Sequence, residues 1–255
     1  MAQEPLTTTK LDASVIQDRL ALASKNNRER HDALVRLFQQ AGCDGGFSEQ
    51  SYGKWSLPNL LCTLKGEGSA TIVVGAHYDT HQRSQGVVDN WSGAALLPSL
   101  FQSLKNSPRK HTFLFVSFSG QEQRMVGSRY FVYYLHAEDR KHLAAIVNLD
   151  SLGLAATNVW VSHSDKQLAQ WLIAVANTLK LPLNPAEYQR QVTTDSESFA
   201  DLKVPRIAIS SIDPSSFRIL HSGAGADQMS IVKQDEYYKT YHLLSVYLAY
   251  LDQKL

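Results

Sequence analysis

The spacing of hydrophobic positions predicts four main helices. Leu34, Leu37 and Phe38 fall on one face of a 3.6-residue period within residues 26–40, and this pattern ends near Gly42, a residue typical of helix ends. Comparable patterns follow at residues 91–104, 165–179 and 234–250. These segments are expected to form helices that bury one apolar face.

Short runs of apolar and β-branched residues alternate with these helices and predict strands. The runs occupy residues 60–64, 70–74, 112–118, 144–149, 159–161 and 206–210. Some are almost continuously apolar, which is typical of parallel strands covered on both faces. The order of elements therefore predicts an α/β fold: a three-layer sandwich with a mixed, mostly parallel central sheet and helices on both faces. We expect the first two of these strands to form an antiparallel edge.

The length of the chain and its uniform composition predict the domain organisation. Its 255 residues are 44% hydrophobic, which is ample for a buried core. The sequence contains no internal repeat, low-complexity segment or Pro/Gly-rich linker. We therefore predict a single domain over residues 1–255, with an N-terminal helical segment, residues 1–45, packed on it.

Charge and hydropathy argue against nucleic-acid binding and against a membrane span. The 25 Lys and Arg residues balance 24 Asp and Glu residues, and no basic patch suited to nucleic acid stands out. The longest apolar run, residues 243–251, is too short to cross a bilayer. Residues 1–6 do not resemble a signal peptide, so a cytoplasmic protein and a secreted protein with its signal removed both stay open. We expect Cys43 and Cys62 to be buried thiols, with one disulfide as the alternative.

Metal-ligating side chains collect where the predicted strands end. They are His77, Asp89, Glu122, Asp150 and His221. Because ligands of α/β sheets bind beyond the carboxyl ends of the strands, we expect these side chains at one edge of the sheet. Two imidazoles and three carboxylates form a ligand set that suits zinc and contains too many acids for one tetrahedral ion.

Each of these residues, taken alone, also has an ordinary structural explanation. Asp89 could cap the helix that follows it, Asp150 could cap a turn, and a lone histidine is most often only hydrogen-bonded. Together, however, three acids at adjacent strand ends repel one another unless a cation neutralises them. Asp79, two residues after His77, is placed to accept the second imidazole N–H, as metal-bound histidines require.

Three motifs around these residues resemble the dizinc aminopeptidases of clan MH, a group that also contains the animal-type glutaminyl cyclases. The motifs are His77-Tyr78-Asp79-Thr80, the segment Asp-Asn-Trp-Ser-Gly from Asp89 in place of the usual Asp-Asn-Ala-Ser-Gly, and Glu122 followed by Gly127-Ser128. The resemblance extends from about Asn59 to the C-terminus. It implies a zinc-peptidase fold and a peptide substrate with a free N-terminus.

The resemblance also implies how two Zn²⁺ ions would be held. His77 and Asp150 would bind one ion, Glu122 and His221 the other, and Asp89 would bridge the two. It further implies a cis peptide bond after Asp89. Asp195 and Asp227 are candidates for contacts behind the ligands.

Gln121 departs from the family pattern. Family members carry Glu-Glu, a general base followed by a ligand, whereas this chain has Gln121-Glu122. A primary amide holds no transferable proton near neutral pH, so the rate should fall on the order of 10²–10⁴-fold while the metals stay bound. Three explanations stay open: an engineered substitution, a natural relative of low or no activity, or a base supplied by Glu197 or Asp195. Leu220 is a second departure, because many members carry a Tyr there that steadies the oxyanion.

The predicted function is zinc-dependent, aminopeptidase-type hydrolysis of N-terminal residues from peptides, with activity impaired by Gln121. A non-catalytic, metal-bearing protein that binds peptides or amino acids is one alternative, and a glutaminyl cyclase is another. A serine hydrolase is disfavoured because the chain has no Gly-x-Ser-x-Gly motif.

Overall fold

The computed structural model describes residues 8–54, 56–81, 84–187, 193–220 and 225–255. Within these ranges the strands are β1 (Phe47–Gln50), β2 (Asn59–Leu64), β3 (Thr71–His77), β4 (Thr112–Phe118), β5 (Leu143–Leu149), β6 (Thr157–Trp160), β7 (Leu183–Ala186) and β8 (Arg206–Ser210). They form one sheet in the order β1-β2-β4-β3-β5-β8-β6-β7.

The centre of the sheet is parallel and its two ends are mixed. Each strand in the central series β4-β3-β5-β8 runs parallel to the next strand in that series. At one end β2 runs antiparallel to β1 and β4, and at the other β6 runs antiparallel to β8 and parallel to β7. The mixed, mostly parallel sheet is therefore confirmed.

The predicted antiparallel pairing of the first two apolar runs is wrong. The second run is β3, which lies between β4 and β5 and is parallel to both. The first run is β2, and its outer neighbour is β1, whose sequence Phe-Ser-Glu-Gln has no apolar run to reveal it. A short edge strand of this kind needs little burial and leaves almost no hydrophobic signal.

Helices cover both faces of the sheet. They are α1 (Ala13–Leu20), α2 (Asn27–Ala41), α3 (Ser92–Leu104), α4 (Val126–Tyr134), α5 (Ala137–Lys141), α6 (Lys166–Leu179), α7 (Pro214–Leu220) and α8 (Gln234–Lys254). Alternate residues of β3 face opposite ways. Ile72 and Val74 join the large cluster that contains residues of α1, α2, α3, α6 and α8, whereas Val73 packs with Phe131 of α4 and with Phe199. The three-layer arrangement is thus confirmed.

The N-terminal helices pack on the rest of the molecule. Leu20 of α1 and Phe38 of α2 are fully buried in the same cluster as Leu97 and Leu100 of α3. These contacts support the single-domain prediction, which stays a prediction. Among the described residues, none of the helices is both long and apolar enough to cross a bilayer.

Cys43 and Cys62 form a disulfide, so the expectation of two buried thiols is wrong. The pairing follows from β1, which the sequence pattern did not reveal. Phe47 of β1 lies opposite Cys62 of β2, and the chain just before β1 therefore brings Cys43 close to Cys62. The bond joins the segment that follows α2 to the central sheet.

Candidate metal centre

Parallel strand ends place the candidate ligands at one edge of the sheet. His77 is the last residue of β3 and lies beside Phe118, the last residue of β4. Asp150 directly follows β5, and its backbone N–H donates to the carbonyl of Ile209 on β8 (2.9 Å). The side chains that leave these strands meet where the backbone pairing ends.

Asp89 reaches the same edge from an irregular turn, Val87–Trp91, that precedes α3. The backbone N–H groups of Val88 and Asp89 donate to the two carboxylate oxygens of Asp227, at 2.7 and 2.9 Å. The Asp89–Asn90 peptide bond is cis, as the resemblance implied. Asp227, one of the two acids expected behind the ligands, thus holds the backbone of this turn.

The side chain of Asn90 joins this turn to the end of β5. Its Nδ2 donates to the carbonyl of Leu149 (2.9 Å), and its Oδ1 accepts from the backbone N–H groups of Gly93 and Ser151 (both 3.1 Å). Asn90 is fully buried, so each of these bonds satisfies groups that water does not reach. The amide therefore fixes Asp89 relative to Asp150.

His77, Asp89 and Asp150 form a cluster with the composition of a metal site. Each offers one ligand atom, and these three atoms lie within 4.8 Å of one another. His77 is 1% exposed; its Nε2 lies 3.2 Å from Oδ1 of Asp89 and makes no aligned hydrogen bond to any described residue. Imidazole nitrogens and carboxylate oxygens are common zinc ligands in proteins, so this arrangement suits zinc.

The pKa values of Asp150 and His77 show that the cluster holds an excess of negative charge. Burial and the neighbouring Asp89 carboxylate raise the pKa of Asp150 to about 7. Burial alone would lower the pKa of His77, but Asp79, Asp89 and Asp150 together raise it well above its ordinary value. A cation would relieve both effects, so the residues present fit a metal ion.

Asp79 connects the histidine to the loop after β4. Its Oδ1 lies 3.5 Å from Nδ1 of His77, which also lies 3.3 Å from the backbone carbonyl of Asp79. The same carboxylate accepts the backbone N–H groups of Gln121 (3.0 Å) and Glu122 (3.1 Å). Asp79 therefore lies where an orienting group for His77 was predicted.

Glu122, a fourth predicted ligand, is not part of this cluster. The side chain of Glu122 is exposed and lies outside the group formed by His77, Asp89 and Asp150. Partial burial of its carboxyl and the charge of Asp89 raise the pKa of Glu122. His221 lies outside the described residues. Three of the five predicted ligands are therefore brought together in the described part of the chain.

Gln121 lies at the rim of the site. Its Nε2 donates to the carbonyl of Thr193 (3.4 Å), and its backbone is held by Asp79. A cleft of about 380 Å³ opens beside it, with Asp79 and Gln123 in its wall. Gln121 is therefore tied to the site through its backbone, and its neighbour Gly120 lines the cleft.

The two acids considered as substitute bases differ in their surroundings. Glu197 pairs with Nε2 of His163 at 2.9 Å. Asp195 is 1% exposed, and its oxygens make no aligned hydrogen bond to the described residues. Burial raises the pKa of Asp195 to about 6, despite the opposing charge of His77. Of these two acids, Glu197 is the one whose carboxylate is held in an ion pair.

Two residues that contact the loops around the site were not predicted. Asn27 and Arg30, at the start of α2, hydrogen-bond to the chain between Tyr78 and Gly86. The only sequence signal is that Arg30 lies four residues before Leu34 and so shares the apolar face of its helix. A charged residue on such a face indicates a specific buried partner.

The fold and the strand-end cluster are those of a zinc-peptidase-like protein. Residues 59–251 match peptidase family M28, and the chain belongs to this family. The suspected relationship to the zinc aminopeptidases is therefore confirmed.

Relatives of the chain include aminopeptidases and glutaminyl cyclases. Aminopeptidase YwaD from Bacillus subtilis is 30% identical over 99 residues, a match covering 38% of this chain and 22% of that protein. BSAP, a zinc aminopeptidase from Bacillus subtilis, has a TM-score of 0.68 at 18% identity, covering 75% of this chain and 49% of that one. An Acidobacteriales bacterium glutaminyl cyclase has a TM-score of 0.81 at 17% identity and full coverage of both chains. The TM-scores show a shared fold, and at these sequence identities the structural matches show the fold alone.

Proposed function

We propose that this chain is a zinc-dependent peptidase of the aminopeptidase type whose activity is impaired by Gln121. The observation that carries the proposal is the cluster of buried His77 and Asp150 with half-buried Asp89, beside a loop that presents Gln121 and Glu122. Membership of family M28 supports the reaction type. The substrate would be a peptide with a free N-terminus.

The proposed metal ligands divide into two sets. His77 and Asp150 would hold one zinc ion, Glu122 and His221 a second, and Asp89 would bridge them. When bound, zinc supplies Lewis-acid chemistry, because it polarises a carbonyl oxygen and makes water more acidic. Asp79 would keep the Nε2 atom of His77 directed at the metal by holding Nδ1.

Gln121 would occupy the place of the residue that moves a proton from water to the leaving amine. Its backbone is fixed by Asp79, so the side chain can border the reacting atoms as a glutamate would. An amide can orient a water through hydrogen bonds, but it has no proton to exchange near neutral pH. The chain should therefore bind zinc and substrate and turn over slowly. Asp195 is the better placed of the two substitute bases, because Glu197 is paired with His163.

The test is hydrolysis of a panel of aminoacyl-anilides in the presence of zinc by this chain and by its Gln121→Glu variant. A carboxylate at this position restores a general base, so turnover should rise by about 10²-fold or more. The matched control is Gln167→Glu, which adds the same charge at an exposed position of α6 and should leave turnover unchanged.

Two results would overturn the proposal. No turnover by either protein, with zinc bound to both, would indicate a metal-bearing protein that binds peptides or amino acids without cleaving them. Conversion of an N-terminal glutamine to pyroglutamate without peptide cleavage would indicate a glutaminyl cyclase.

A further inference from the structure

Arg30 is a fully buried cation on helix α2, outside the segment that matches the family. Burying a guanidinium is costly unless its donors are all satisfied. Its Nε donates to the carbonyl of Ser24 (2.5 Å) and its Nη1 to the carbonyl of Tyr78 (3.0 Å). Nη2 donates to the carbonyls of Gln85 (2.6 Å) and Gly86 (2.8 Å). The side chain is therefore held by backbone carbonyls from three places in the chain.

The carbonyls of Tyr78, Gln85 and Gly86 belong to the two segments that carry the candidate ligands. Tyr78 lies between His77 and Asp79. Gly86 directly precedes the turn that carries Asp89. One guanidinium group thus joins the segment that carries His77 to the turn that carries Asp89. Because the N–H donors of a guanidinium are fixed in one plane, they set the distance between the two segments.

The loop is shaped around the guanidinium. Gly86 has φ of +57°, and a Cβ atom there would lie 2.6 Å from Nη2 of Arg30. The guanidinium carbon also lies 5.6 Å from the centre of the ring of Trp91, the last residue of the turn. Trp91 is itself fully buried. Arg30 therefore contacts the turn of Asp89 through both Gly86, which directly precedes the turn, and Trp91, the last residue of the turn.

Asn27, one helical turn before Arg30, makes a second contact with the same loop. Its Oδ1 accepts the backbone N–H of Thr80 (2.9 Å), and its Nδ2 donates to the carbonyl of Thr80 (3.3 Å). Helix α2 therefore holds the chain on both sides of Asp79.

The charge of Arg30 would not itself attract a metal ion. Burial lowers the pKa of Arg30 to about 10, and nearby carboxylates oppose this shift by favouring the charged guanidinium. These carboxylates belong to Asp227, Asp79, Asp89 and Glu122. Arg30 is therefore charged at neutral pH and repels any metal cation in the cluster. Its contribution to a metal site has to come from geometry.

We infer that Arg30 is a positioning residue of the metal centre: it fixes the segment of His77 and the turn of Asp89 at the separation that metal binding needs. This inference rests on the proposed function, because it concerns the same site. It assigns the N-terminal helical segment a part in metal affinity.

The test measures the zinc dissociation constant of the full chain by competition with a chelator near neutral pH. The variants are Arg30→Lys, which keeps the charge but loses the fork, Arg30→Met, which removes both, and the milder Asn27→Ala. We expect all three to weaken zinc binding, by about 10–100-fold for the Arg30 variants. The matched control is Arg19→Met, since Arg19 is also buried but bonds to Ser99 and Gln102 of α3. Urea unfolding of each metal-free variant shows whether it is folded.

The outcomes separate positioning from other roles. If Arg30 acted only through its charge, Arg30→Lys would bind zinc normally and Arg30→Met would bind it more tightly. If it only stabilised the fold, the variants would unfold more easily and keep the zinc affinity of the parent. Either result overturns the inference and leaves the proposed function standing, whereas a parent chain that binds no zinc overturns both. If Arg30→Met fails to fold, Asn27→Ala and Arg30→Lys decide the question.

Discussion

Gly93 shows how closely single residues are fitted around the site. It lies in the first turn of α3, where that helix meets the end of β5. A Cβ atom at this position would lie 2.6 Å from Oδ1 of Asn90 and 2.8 Å from the carbonyl of Leu149. Both atoms belong to the hydrogen bonds that hold Asp89 next to Asp150.

We therefore expect Gly93→Ala to lower the free energy of unfolding by about 1–3 kcal/mol, because the added methyl group overpacks a fixed contact. Gly45→Ala is the matched control, since no atom lies within 4 Å of a Cβ there. Urea unfolding of the two variants and the parent measures the difference. Equal stabilities for both variants would show that the turn adapts and that the contact is not fixed.

At the residue scale, the side chains of the candidate cluster were easier to predict from the sequence than the residues that support them. His77, Asp89 and Asp150 stood out because histidine and acids at strand ends are a chemically biased set. Arg30 did not, because its partners are backbone carbonyls about fifty residues away, and any residue type supplies a carbonyl. No motif can encode such a contact.

At the element scale, the elements with a strong hydrophobic period were predictable. The predicted helix at residues 165–179 corresponds to α6 (Lys166–Leu179), and the strand at residues 112–118 to β4 (Thr112–Phe118). The helices α1, α4, α5 and α7 and the strands β1 and β7 were not predicted. The two strands are four-residue edge segments without a buried run, so their pairing depends on neighbours rather than on their own sequence.

The order of the strands explains why the location of the candidate site could be predicted from the sequence alone. Strands β3, β4 and β5 are neighbours and parallel, so any polar residues that follow them share one edge. The strand order did not predict the distances between the side chains of His77, Asp89 and Asp150. Those depend on the turn Val87–Trp91, which is positioned by Asp227 from far along the chain.

At the scale of the whole molecule, the metal centre concentrates buried acids in a protein of almost neutral net charge. Burial raises the pKa of Asp150 to about 7 and that of Asp195 and Asp227 to about 6. In the unfolded chain these carboxyls titrate near 3.8. The folded, metal-free protein therefore binds their protons more tightly than the unfolded chain does.

This difference predicts how stability depends on pH. Since the folded pKa values are raised, the stabilisation by these protons is complete below about pH 4 and is lost as the pH rises through 6 and 7. The free energy of unfolding of the metal-free protein should therefore fall between about pH 4 and pH 7, and the stabilisation by added zinc should grow over the same range. Urea unfolding with and without zinc at a series of pH values measures both. A metal-free protein whose stability rises with pH would contradict the account of the cluster.

The proposed pair of zinc ions, bridged by Asp89 at the carboxyl ends of the strands, can be tested by metal analysis after zinc reconstitution and removal of unbound metal. We expect two zinc ions per chain. Both should be lost in Asp89→Asn, with no change in Asp44→Asn, an exposed acid elsewhere on the surface. One ion per chain, or two in the Asp89 variant, would contradict the bridging role. A parent chain without bound zinc would contradict the metal centre itself.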